Sequence, residues 1–161
     1  MDRERWVLVG LAALFAAWAA LELPGLGRDA RARPDPCAAR VEPAAVEASY
    51  RDAVARLQAG DDAAAVLELR RRAEAGPYPA WAWFWLGEAA YRRGAWAEAV
   101  ARYARAVDEN PAAADRTGPF RSGAVMAERL QAIRSGPWAQ DPPPEVRKLY
   151  ALQRRLAGGC E

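Results

Sequence analysis

Four residue pairs recur at one fixed interval of 34: Gly60 and Gly94, Ala65 and Ala99, Leu69 and Tyr103, Pro77 and Pro111. A period of roughly 20–50 residues marks supersecondary units that cannot bury their apolar faces alone and must stack. Between these markers, from Val46 to Asn110, apolar and alanine positions return at helical spacing. Gly60, Gly76-Pro77, Pro79, Gly94 and Pro111 interrupt that pattern. It therefore predicts four helices, at about 44–59, 62–75, 80–93 and 96–109. Asp61 stands where a carboxylate caps the second helix, and Gly60 and Gly94 stand where a left-handed C-terminal cap is needed.

Composition removes most enzymatic readings. The chain has 161 residues, no histidine, one lysine (Lys148) and two cysteines. The commonest general base and the commonest metal ligand are thus missing, and two cysteines alone cannot complete a four-ligand zinc site. The formal charge of +2 is too balanced for a dedicated nucleic-acid binder. Gly118–Gly123 lacks the lysine and spacing of a phosphate loop. The acidic pairs Asp61-Asp62 and Asp108-Glu109 read as helix-end solubility and capping. Arg70-Arg71-Arg72 suits the negative pole of a helix dipole. No catalytic residue, cofactor or metal site is expected.

The second unit runs AWAWFWLGEAAYRRGAWAEAVARYARAVDENP from Ala80 to Pro111. With Trp83, Leu86-Gly87, Gly94, Ala99, Tyr103, Ala106 and Pro111 in register, it resembles the tetratricopeptide repeat family. It departs from that pattern at Ala90, where a tyrosine is usual. The first unit, 46–79, keeps Gly60, Ala65, Leu69 and Pro77 but has Asp52-Ala53 in place of Leu-Gly, and resembles a degenerate repeat. The resemblance implies an all-α fold, a short solenoid of about two helical hairpins (46–79 and 80–113). Trp83, Leu86 and Tyr103 would fill the space between helix pairs.

Residues 114–161 carry no repeat signature and read as a C-terminal helical cap. One cap helix is expected at 122–134, with Ser122 as its N-cap and Val125, Leu130 and Ile133 inward. A second is expected at 144–157, with Val146, Leu149, Tyr150, Leu152 and Leu156 inward. Trp138, in the proline-rich loop between them, is expected to plug the core. The cap region holds eight basic and five acidic residues, a mild asymmetry that favours an acidic partner or a membrane surface.

Residues 1–23 contain Trp6–Leu21, 16 residues without a charge, between a secretory core and a full span in length. They are expected to form one transmembrane or signal-anchor helix. Residues 24–45, with four prolines, are expected to be a linker. Arg28, Arg31, Arg33 and Arg40 follow the run while only Arg3 and Arg5 precede it, which favours a cytoplasmic domain. An apolar run so near the start argues for export, and we expect a single-pass protein of the inner (cytoplasmic) membrane with its domain on the exported side. Cys37 and Cys160 flank the domain. They are either a disulfide clasp between the termini, which needs an oxidising compartment, or two unrelated thiols.

In the tetratricopeptide family the first helix of each pair lines a concave groove. Carried over, the groove positions are Trp81, Phe84, Glu88, Tyr91 and Arg92 in the second unit, and Glu47, Tyr50, Val54, Leu57 and Gln58 in the first. Tyr50, Trp81, Phe84, Glu88, Tyr91 and Arg92 are the expected partner-binding residues, aromatic rings serving as anchors for a peptide or helix of another protein. The implied role is a membrane-anchored scaffold aiding assembly of an envelope complex. The alternative is a permanent structural subunit of a membrane complex.

Overall fold

The computed structural model describes residues 41–158, which lie within one contact unit of the chain, Pro36–Glu161. Among the described residues there are six α-helices and two short 3-10 turns and no strand. We number the helices α1 (Pro43–Gln58), α2 (Asp62–Ala75), α3 (Pro79–Arg92), α4 (Trp96–Glu109), α5 (Ser122–Ser135) and α6 (Val146–Gly158). The expected helix 1–23, the linker up to residue 40, and both Cys37 and Cys160 lie outside the described residues. Among those described, no helix is long and apolar enough to cross a membrane.

Local chemistry sets the helix ends. Pro43 and Pro79 open α1 and α3, where a fixed φ helps and a missing N–H is no loss. Asp61 accepts from the Ala64 N–H at 3.4 Å and caps α2. Gly60 (φ +84°) and Gly94 (φ +75°) close α1 and α3 in the same way. In the first, Asp61 N–H donates to Arg56 O at 3.0 Å and Gly60 N–H to Leu57 O at 3.2 Å; in the second, Ala95 donates to Ala90 O and Gly94 to Tyr91 O, each at 3.0 Å. Both are Schellman caps, which need a residue tolerant of positive φ at this point. The 34-residue glycine spacing thus reflects one reversal used twice.

Consecutive helices α1–α4 pack side by side, and the α3–α4 pair is the most intimate. Gly87 is why: a Cβ there would meet two Tyr103 ring carbons at 2.5 Å, so only a glycine admits the ring. Tyr103, Ala99, Ala106, Leu69, Leu57 and Trp81 are at most 2% exposed and form the centre of the core. Fully burying an apolar side chain of this size contributes roughly 1.5–3 kcal/mol. This arrangement is compatible with a short helical-repeat solenoid.

The cap adds another layer: α5 contacts α3 and α4, and α6 contacts α4 and α5. The start of α5 presses on the 3-10 turn Pro111–Ala114, where a Cβ at Gly123 would lie 2.0 Å from Ala114 O. Trp138 is buried at the end of the core, as expected. Three cap details differ from expectation. Ser122 is not the N-cap of α5; Arg121 (φ +52°) holds that position, and Ser122 Oγ donates to Ala113 O at 2.9 Å. Met126 rather than Val125 joins Leu130 and Ile133 in the interior. Tyr150 is 44% exposed, because α6 buries only the face of Leu149, Leu152 and Leu156.

Candidate functional site

The expected groove residues divide into three groups. Tyr50 and Trp81 are 0% exposed and Phe84 is 1% exposed, so these rings are interior packing residues rather than open anchors. Tyr50 sits in α1 with its hydroxyl facing the carbonyls of Pro77 (3.1 Å) and Tyr78 (3.0 Å), tying α1 to the turn that starts α3. That bond helps hold Tyr78 at φ +57°. Burial pushes the Tyr50 phenol up to about 12, against the opposing pull of the Arg72 guanidinium. Trp81 meets Tyr78 edge-on at 6.4 Å, and Phe84 lies 6.3 Å from Tyr103. The indole N–H groups of Trp81, Trp83 and Trp85 find no acceptor among the described residues.

Glu88 and Tyr91 form the second group, and the cap covers them. The Tyr103 hydroxyl donates to Glu88 Oε1. Burial drives the Tyr103 phenol far above its ordinary value, and the Glu88 carboxylate beside it adds to that shift. Tyr103 therefore stays a donor at any ordinary pH. Arg129, from α5, places its Nε 3.5 Å from Glu88 Oε2 and its guanidinium 4.9 Å from the Tyr91 ring centre. Burial lowers the Arg129 pKa, but Glu88 and Glu128, with Tyr91 and Tyr103, more than offset it and the net shift is upward. A buried carboxylate needs such partners, since an unpaired one is costly. Nearby, Phe120 packs edge-on against Trp85 at 5.1 Å.

Arg92 is the third group. It is exposed, yet its Nη1 donates to Leu57 O at 2.5 Å and lies 3.8 Å from Asp62 Oδ1. It thereby joins the end of α1 to the start of α2 and is already engaged within the chain. Trp83, expected to fill the space between pairs, is half-buried beneath the Arg102 guanidinium at 5.0 Å.

What stays open lies along α1. Glu47, Val54 and Gln58, three of the five first-unit groove positions, line a shallow depression of about 400 Å³ with Ala48, Arg51 and Phe120. Phe120 was not foreseen. It sits at φ +55° in the turn Pro119–Arg121, held by its own N–H donating to Glu47 Oε1 at 3.1 Å. The only sequence hint of it was the Gly118-Pro119 turn signal. Arg129 was also missed, because nothing in a helical cap residue announces a long-range carboxylate partner.

Among the described residues no group of three His, Cys, Asp or Glu side chains is placed to hold a metal ion. Glu88 is the buried carboxylate of the site, and its oxygens face Tyr103 and Arg129. The geometry offers contact and charge pairing. No family model matches the chain, and no curated protein or solved structure matches it.

Proposed function

We propose that this chain is a non-enzymatic, membrane-anchored scaffold of the tetratricopeptide-repeat type that docks a segment of a partner protein along the open face of α1. The family assignment rests on the residues quoted for it, from Trp83 to Pro111, and the anchor on the uncharged run Trp6–Leu21. The observation that carries the docking face is the depression on α1. Its lining combines small apolar residues (Ala48, Val54, Ala55) with charged ones (Glu47, Arg51) and Phe120. Such a mixture of apolar contact and orienting charge suits a helix or extended segment. Tethering raises the effective concentration of that face for membrane-bound partners, which suits assembly of an envelope complex.

A photo-crosslinking residue at Ala48, compared with one at exposed Leu67 on α2, tests the reading. A discrete crosslinked partner at Ala48, lost on Val54→Glu with helicity unchanged, is the expected result. Equal, diffuse crosslinking from both positions would refute it. The permanent-subunit reading draws little support from the described surface, whose large exposed hydrophobics are Leu67 and Tyr150 on different helices.

A further inference from the structure

The C-terminal helix α6 has a charge pattern that neither the core nor the α1 face explains. Its 13 residues, VRKLYALQRRLAG, include Arg147, Lys148, Arg154 and Arg155 and no acidic residue. At 100° per residue, Leu149, Leu152 and Leu156 point into the core. Arg147 and Arg154 then point directly away, Tyr150 and Ala151 stand to either side of them, and Arg155 and Lys148 lie further round, beside the seam with the core. Arg147, Lys148, Tyr150, Ala151 and Arg154 are all exposed. Among the described residues no ion pair engages Arg147, Lys148 or Arg154. The carboxylates on α4, the helix packed beside it, are taken: Asp108 by Arg155 at 2.5 Å, Glu109 by Arg105 at 3.2 Å and Glu98 by Arg93 and Arg102. Asp141 and Glu145 precede the helix in the loop.

We propose that the outer face of α6 docks on an anionic phospholipid surface. The cations are spread along about 10 Å of a single convex helix, which matches a plane of headgroups better than a discrete carboxylate ligand. Tyr150 stands beside them, with an apolar body and polar tip suited to a headgroup layer. Between α6 and α4 lies a shallow depression of about 360 Å³, lined by Lys148, Arg105 and the Arg155–Asp108 pair together with Ala101, Ala104, Ala151 and Leu152. Each Lys or Arg near such a surface favours docking by a factor of about five, so Arg147, Lys148 and Arg154 together supply about a hundredfold. For a domain already tethered, that factor fixes its posture: α6 against the bilayer and the remaining faces free.

The test uses the full chain carrying Cys37→Ser, Cys160→Ser and Ala151→Cys, labelled at the new thiol with a polarity-sensitive dye. It is reconstituted in vesicles of phosphatidylcholine alone or of phosphatidylcholine with phosphatidylserine, and dye accessibility is read by acrylamide quenching. Shielding of the dye several-fold stronger in the anionic vesicles is expected. It should vanish in about 1 M salt, where the screening length falls to about 3 Å. It should also vanish in Arg147→Gln/Lys148→Gln/Arg154→Gln and persist in Arg147→Lys/Arg154→Lys, because surface charge rather than fork geometry is read. Equal quenching in both vesicles overturns the proposal, as does shielding that survives salt or the triple change. Shielding by soluble polyglutamate without shielding by the anionic vesicles overturns it in favour of an acidic polypeptide.

Discussion

Gly87→Ala isolates the contact on which the α3–α4 pair depends. The new Cβ would sit 2.5 Å from both Cδ1 and Cε1 of Tyr103, more than 1 Å inside ordinary carbon–carbon contact. Tyr103 has little room to retreat. Its ring is fully buried, Phe84 lies 6.3 Å from it one turn before Gly87, and its hydroxyl is fixed on Glu88. Overpacking of this kind costs about 1–3 kcal/mol, and a clash with two atoms of a held ring belongs at the upper end. Alanine returns about 0.5–1 kcal/mol in a helix interior through lower chain entropy. The net expectation is a loss of about 2 kcal/mol, read as a lower urea midpoint at unchanged slope. Gly60→Ala is the comparison. No atom lies within 4 Å of its Cβ, so its cost is only left-handed strain at φ +84°, about 1–2 kcal/mol less the same entropic return. In a Tyr103→Leu background the cost of Gly87→Ala should shrink by at least about 1 kcal/mol, since neighbours in contact are not additive. A Gly87→Ala protein as stable as the parent, or a cost unchanged by Tyr103→Leu, would refute the reasoning.

Other perturbations address the charged and polar contacts. Glu88→Ala leaves the Tyr103 hydroxyl and Arg129 facing a gap, and should lower stability by about 1–3 kcal/mol in the same urea assay. Glu88→Gln keeps an acceptor and should cost less; equal costs would exclude the hydrogen bond as the source. Asp61→Ala removes a long, exposed capping bond and should cost about 0.5 kcal/mol, with faster amide exchange at Ala64 than at Ala99. Alkaline pH acts through the buried phenols. Tyr50 is raised from 10.0 to about 12 and Tyr103 is raised further, so the folded state retains protons that the unfolded chain releases. Their contribution is complete below pH 10 and is lost as pH climbs from 10 through about 12. Melting temperature should fall steeply over that window, less so in Tyr50→Phe, and an equal slope in both proteins would exclude Tyr50.

The helix ends could be read from the chain because their causes are local. Gly60 and Gly94 act within five residues of themselves, as do Pro43, Pro79 and Asp61, and the observed bounds of α1–α4 match the expected ones to a residue. The α5 and α6 cores were readable by periodicity for the same reason. Tyr150 was misplaced because α6 buries only one narrow face, and Ser122 because the turn before α5 offers its hydroxyl the Ala113 carbonyl. Phe120 and Arg121 take left-handed conformations that no glycine signals. Those conformations are sustained by contacts tens of residues away, such as the Phe120 N–H on Glu47.

The groove anchors show why a repeat pattern constrains a hairpin better than it constrains its surroundings. The repeat pattern encodes contacts inside one unit, Gly87 against Tyr103 being the sharpest. It carries no information about what stands next to the array. In a long solenoid the first helices of successive units border one another and their outer rows face solvent. Here α3 has α1 and α2 on one side and the cap on the other, so nearly every residue of it is enclosed by the chain itself. Glu88 and Tyr91 offer a carboxylate beside an aromatic face, chemistry that would hold an arginine from any source. The nearest source is Arg129 of α5, which pairs with the first and stacks on the second. A guanidinium supplied from within the chain forgoes the loss of translational freedom that an external ligand would incur. The same side chains that resemble a binding groove therefore serve as the latch that seats the cap.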